Sequence, residues 1–116
     1  MYLLVEVLEQ TDHLPSLLEK FAKIGVTGTT VIDSMGMGRI LVESDAQVPA
    51  IAAIKKHLAK GKPNNKTLFS VIADKETLQK AIDIIRSLCG NLNDPGKGIV
   101  FTLQLDFVEG LKKALD

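Results

Sequence analysis

Apolar residues recur along this chain with two different periods, and the changes of period divide it into elements. Residues 2–8 (YLLVEVL) are rich in β-formers and too short for a helix, so they predict a strand. Leu3, Val5 and Val7 would face one way, and Tyr2, Leu4, Glu6 and Leu8 the other. In TDHLPSLLEKFAKIG the spacing changes, with Leu14, Leu17, Leu18, Phe21 and Ile24 on one helical stripe. Thr11 or Asp12 can cap that helix, Pro15 suits its first turn, and Gly25 fits just past its end. Residues 27–35 (TGTTVIDSM) carry the β-branched residues of a second strand, and residues 67–73 (TLFSVIA) form a third. Asp74 caps a second helix with Leu78, Ala81, Ile82, Ile85 and Leu88 on one stripe, closed by Gly90. Residues 99–105 (IVFTLQL) give a fourth strand after NLNDPGK, and a short tail follows.

The order βαββαβ predicts an α+β, ferredoxin-like fold: one domain over 1–116, with two helices on one face of a four-stranded antiparallel sheet. If Leu3, Val5, Val7, Phe69, Val71, Phe101 and Leu103 face the helices, then Leu4, Leu8, Ile32, Leu68, Ile72 and Val100 face away. Such a patch is rarely left in water by a monomer, so the second face predicts packing against other copies of the chain.

Between the second and third strands lies a connection over 36–66, longer than a compact domain ordinarily leaves structureless. VPAIAAIKKHLAKG predicts a helix at about 48–60, with Ile51, Ile54 and Leu58 on one side. No acid occurs between Asp45 and Asp74, while Lys55, Lys56, Lys60, Lys62 and Lys66 crowd this stretch. The stripe and lysines are either a packed, solvated helix or a contact for a partner protein, the residues concerned being Ile51, Ile54, Lys55, Lys56, Leu58 and Lys60.

Composition narrows the function class. The 116 residues balance 14 Lys and Arg against 14 Asp and Glu, so no global field draws nucleic acid to the surface. The lone Cys89 excludes an internal disulfide and, in an apolar run, reads as a buried inert thiol suited to a reducing compartment. The start lacks a basic region and is interrupted by Glu6 and Glu9, so no signal peptide is expected. No apolar run has the length of a membrane span, and a cytoplasmic protein, not integral to a membrane, is expected. His13 and His57 stand apart from Cys89 and from paired acids, which argues against a metal site. No serine has a nucleophile-elbow context and no dinucleotide or phosphate-loop fingerprint is present, so no enzymatic activity is expected.

Two glycine clusters remain: Gly36-Met37-Gly38-Arg39 after the second strand, and Asn93-Asp94-Pro95-Gly96-Lys97-Gly98 before the fourth. Each can be a strand exit or a turn. Each can also bring backbone N–H groups close to an anion beside a cationic side chain. Together with Lys23-Ile24-Gly25-Val26-Thr27-Gly28-Thr29-Thr30-Val31, they make the chain resemble the PII nitrogen-regulatory signal proteins, over about residues 1–38 and 67–105. That resemblance implies a homotrimer whose sheets line a central core. It implies adenine nucleotides (ATP, ADP or AMP) in clefts between subunits, and a long T-loop that regulates a transporter or metabolic enzyme. Carried over, Thr30, Gly36, Gly38 and Arg39 would sit at the T-loop base, and Gly96, Lys97 and Gly98 would hold phosphate. The resemblance is to a divergent member with an atypical T-loop. Ile40 replaces the glutamine that in the family helps bind Mg-nucleotide and 2-oxoglutarate. Phe107-Val108-Glu109-Gly110-Leu111 occupies the place of two arginines after the last strand, and residues 36–66 hold no tyrosine for uridylylation. The alternatives are a trimeric interaction scaffold with a decayed ligand pocket, and a CutA-like metal-handling protein on the same architecture.

Overall fold

The computed structural model describes residues 1–44, 47, 49 and 65–112. The expected helix at 48–60, with its lysines, lies outside the described residues apart from position 49. Strand β1 (Tyr2–Leu8) leads to helix α1 (Leu14–Lys23) and strand β2 (Thr29–Ser34). Helix α2 (Met37–Glu43), strand β3 (Asn65–Ile72), helix α3 (Lys75–Cys89) and strand β4 (Gly98–Gln104) follow. The sheet runs β2-β3-β1-β4 and every neighbouring pair is antiparallel. This is the ferredoxin-like arrangement that the sequence predicts.

The two helices of the fold proper end as their sequences dictate. The Asp74 carboxylate accepts the Thr77 N–H at 2.8 Å, and these Thr77 hydrogen bonds hold its carboxyl below the usual range. Gly90, at φ +78°, turns the chain out of α3. At the start of α1 the structure corrects the sequence. His13 occupies the cap, not Thr11 or Asp12, and it makes no side-chain cap hydrogen bond. A backbone bond from the Leu14 N–H to the Thr11 carbonyl, 3.1 Å, forms the turn ahead of it.

The sheet faces are the reverse of those expected, except at Ile32, which lies on the face without helices as anticipated. Leu4, Leu8, Leu68 and Ile72 lie in the core with Leu17 and Phe21 of α1 and Leu78, Ala81 and Ile85 of α3, and Val100 packs against them. Leu3, Val5, Val7, Phe69, Val71, Phe101 and Leu103 therefore occupy the face without helices. The reason lies in two polar residues. Glu6 and Ser70 share the parity of the core residues and are fully buried with them. Ser70 is satisfied by the Thr29 hydroxyl at 2.8 Å. Glu6 is not satisfied: neither carboxyl oxygen has a hydrogen-bond partner.

The face without helices is nonetheless apolar. Ile32, Ile99, Phe101 and Leu103 on it are 44–56% exposed, while Val5 is buried directly opposite Phe69 and Phe101 on its two neighbouring strands. Helix α2 was not foreseen within the 36–66 connection. It leaves no residue buried and presents Met37 and Ile40 to solvent beside Met35.

Candidate functional site

Both glycine clusters leave the sheet at the same end. Ser34 closes β2 opposite Asn65, and Leu8 of β1 lies between Lys66 of β3 and Gly98 of β4. The base of the 36–66 connection and the loop 90–97 thus flank one row of strand ends. They stand three strand spacings apart, about 14 Å, so one subunit does not bring them into contact.

Gly98 is the best-determined residue of the site. Its φ is +110°, and a side chain there would run into the Val7 carbonyl oxygen, with the Val7 carbonyl carbon at 3.1 Å and Leu8 Cα at 3.2 Å. Only glycine lets β4 begin this close to β1. Gly96 also has a positive φ, +79°, and with Pro95 it turns the chain so that the half-buried Lys97 lies between the two glycines. Upstream, the Asn91 side-chain oxygen accepts the Asn93 N–H and the Asn91 carbonyl accepts the Asp94 N–H, each at 3.0 Å. A groove of about 870 Å³ opens beside this loop, between α3 and the edge of β4, lined among others by Arg86, Asn91, Asn93, Gly98 and Val100. Arg86, Asn91 and Asn93 are polar lining that sequence reasoning did not single out.

At the other loop base, Gly36 is extended and caps α2, where a Cβ would meet the Asn65 side-chain nitrogen at 3.2 Å. Gly38 lies within α2, and Arg39 pairs with Glu43 one turn on at 3.8 Å. Lys66 pairs with Asp33 across β2 and β3. Thr30 is placed differently from the expectation. It faces the open side of the sheet opposite Phe69, four residues before the end of β2, and is not at the loop base. Lys112 lines a cavity with Met1, Asp74 and Thr77, at the opposite end of the sheet from Gly98.

Two ionisable groups lie beneath the loop. Burial raises the Glu6 carboxyl to about 8. Burial first, and then the Glu6 carboxyl, push the Cys89 thiol up, while Lys97 pulls it down. Cys89 is half-buried, more accessible than the sequence predicts. Sequence reasoning missed Glu6 altogether. Its only signal is an acid at the centre of an apolar strand. Among the described residues, no three His, Cys, Asp or Glu side chains gather as a metal set.

The model of the nitrogen regulatory protein P-II family matches residues 2–114, nearly the whole chain. The chain belongs to the P-II family. Comparison with curated proteins gives no match. P-II proteins are regulatory signal-transduction proteins and not enzymes; they are trimeric and act through partners. Among the described residues of this P-II chain no helix is long and apolar enough to cross a membrane.

Proposed function

We propose that this P-II protein is a cytoplasmic homotrimer that binds a small anionic ligand between subunits, an adenine nucleotide being the first candidate. It would regulate a transporter or metabolic enzyme through residues 36–66. The observation that carries the reading is the turn Gly96-Lys97-Gly98 at the sheet end. Gly98 abuts β1 and lines the groove, and Lys97 before it is half-buried. A second subunit against the open apolar face would give that groove another wall and would cover Phe101 and Leu103. In that assembly Gly36, Gly38 and Arg39 would supply the other side of the cleft, and Thr30 would contribute from the sheet face. Ile51, Ile54 and Leu58, beside Lys55, Lys56 and Lys60, would meet the partner, the lysines setting association rate and the apolar stripe setting lifetime.

A thermal-shift series with ATP, ADP and AMP tests the ligand. At a hundredfold the dissociation constant, a true ligand adds about 2.7 kcal/mol of apparent stability. Lys97→Ala is expected to weaken binding tenfold or more by removing a charge-assisted contact. An unchanged melting temperature with all three nucleotides would favour a second reading, an interaction scaffold whose pocket has decayed. That reading has one observation in its favour. Lys112, a cation after the last strand, lies at the far end of the sheet from Lys97 in the same chain.

A further inference from the structure

Residues 90–97 are tied down at both ends, and Leu92 between them packs against the core in which Glu6 is buried. The first tie is Cys89, the last residue of α3, whose thiol lies within the field of the Glu6 carboxyl. The second is the start of β4, where Gly98 abuts Val7 and Val100 lies directly opposite Glu6. Between these ties the loop is held by short turn hydrogen bonds around Asn91, and Gly90, Asn91, Asn93, Asp94 and Pro95 are exposed. A segment of this kind opens locally at lower free energy than the sheet beneath it.

We propose that Glu6 is a proton-operated latch on the loop 90–97: with its carboxyl neutral the loop and the last turn of α3 stay closed over the sheet, and loss of its proton opens them to water. The geometry explains the direction. Both carboxyl oxygens are sealed from solvent with no hydrogen-bond partner, so the neutral acid is tolerated and the carboxylate is not. The elements packed around it offer little to offset the charge. Leu68 of β3 and Val100 of β4 are its cross-strand neighbours, and the buried faces of α1 and α3 are Leu17, Phe21, Leu78, Ala81 and Ile85. The charged residues Glu19, Lys20 and Lys23 of α1 and Lys80, Asp83 and Arg86 of α3 are exposed. Cys89 is the ionisable group in its field, and the cation next to that thiol is Lys97, on the loop itself. An ionised Glu6 therefore gains water only when the segment over it opens. If Lys97 also holds the anionic ligand proposed above, the same movement withdraws it from that site.

Amide hydrogen exchange of the ligand-free protein between pH 6 and 8 tests the latch without reference to any ligand. After correction for intrinsic exchange rates, protection of the amides at 88–98 is expected to fall by up to about tenfold per pH unit. Amides at the centre of β1 and β3, which exchange through global unfolding, are expected to stay more strongly protected at every pH. Glu6→Gln should flatten the dependence at 88–98. The wild-type pattern decides the matter even if that variant does not fold. A pH-independent loop, or protection at 88–98 equal to the global unfolding free energy at every pH, would overturn the proposal, the latter reducing Glu6 to a determinant of global stability.

Discussion

Gly98→Ala is expected to cost about 4 kcal/mol, a large share of the stability of a domain of this size. Two effects add. Alanine at φ +110° is strained by about 1–3 kcal/mol wherever it stands. Here the new methyl group would also overlap the Val7 carbonyl, which is backbone and cannot rotate away. Relief requires parting β4 from β1 at Leu8, with loss of ladder hydrogen bonds and of the loop's second tie. Gly25→Ala is the control. Its φ is similar, +92°, and nothing lies within 4 Å of the added carbon, so only the strain, about 1 kcal/mol, is expected. Urea unfolding of the two variants separates the effects, and equal midpoints would show that β1 does not confine Gly98.

Glu6→Gln is expected to reverse its rank against wild type as pH rises. Burial lifts the Glu6 carboxyl from 4.5 to about 8, so between those values the folded chain holds a proton that the unfolded chain releases. Wild-type stability must then fall with rising pH through that window, by at most about 1.4 kcal/mol per unit, and become flat above it. Glutamine has no such proton. It buries an amide without partners and should be the less stable form near pH 4.5. By pH 7 its stability relative to wild type should have risen by about 3 kcal/mol. Unfolding midpoints measured at several pH values check this, and parallel curves for the two proteins would refute the burial of an uncompensated carboxyl.

The sequence made the element order legible because the periods of 2 and 3.6 alternate cleanly and the punctuation is strong: Asp74 caps a helix, while Gly25 and Gly90 end two. It did not reveal which sheet face is covered. Both faces of β1 are apolar, and the set Tyr2, Leu4, Glu6, Leu8 looks the more polar only because of one acid. That acid is buried through tertiary packing, which strand periodicity cannot register. Substitutions at Leu4 or Ile72 would therefore strike the core and not an interface between copies. The loop glycines were legible because close backbone approach restricts the choice of residue, and Gly98 shows the restriction directly. Thr30 was legible only by resemblance, and its place on the open sheet face gives it no contact with the loop base in its own chain. Helix α2 was hidden by Gly36 and Gly38, which read as a loop although Gly36 caps the helix and Gly38 lies within it.

The central claim is that the apolar sheet face joins three copies and thereby forms ligand clefts. Native mass spectrometry in the presence of ATP tests both halves in one spectrum. Three chains carrying up to three nucleotides are predicted for the wild type, and Phe101→Lys, which puts a charge on the open face, should give single chains. A wild-type mass of one or two chains, or a trimer that Phe101→Lys leaves intact, would contradict the account.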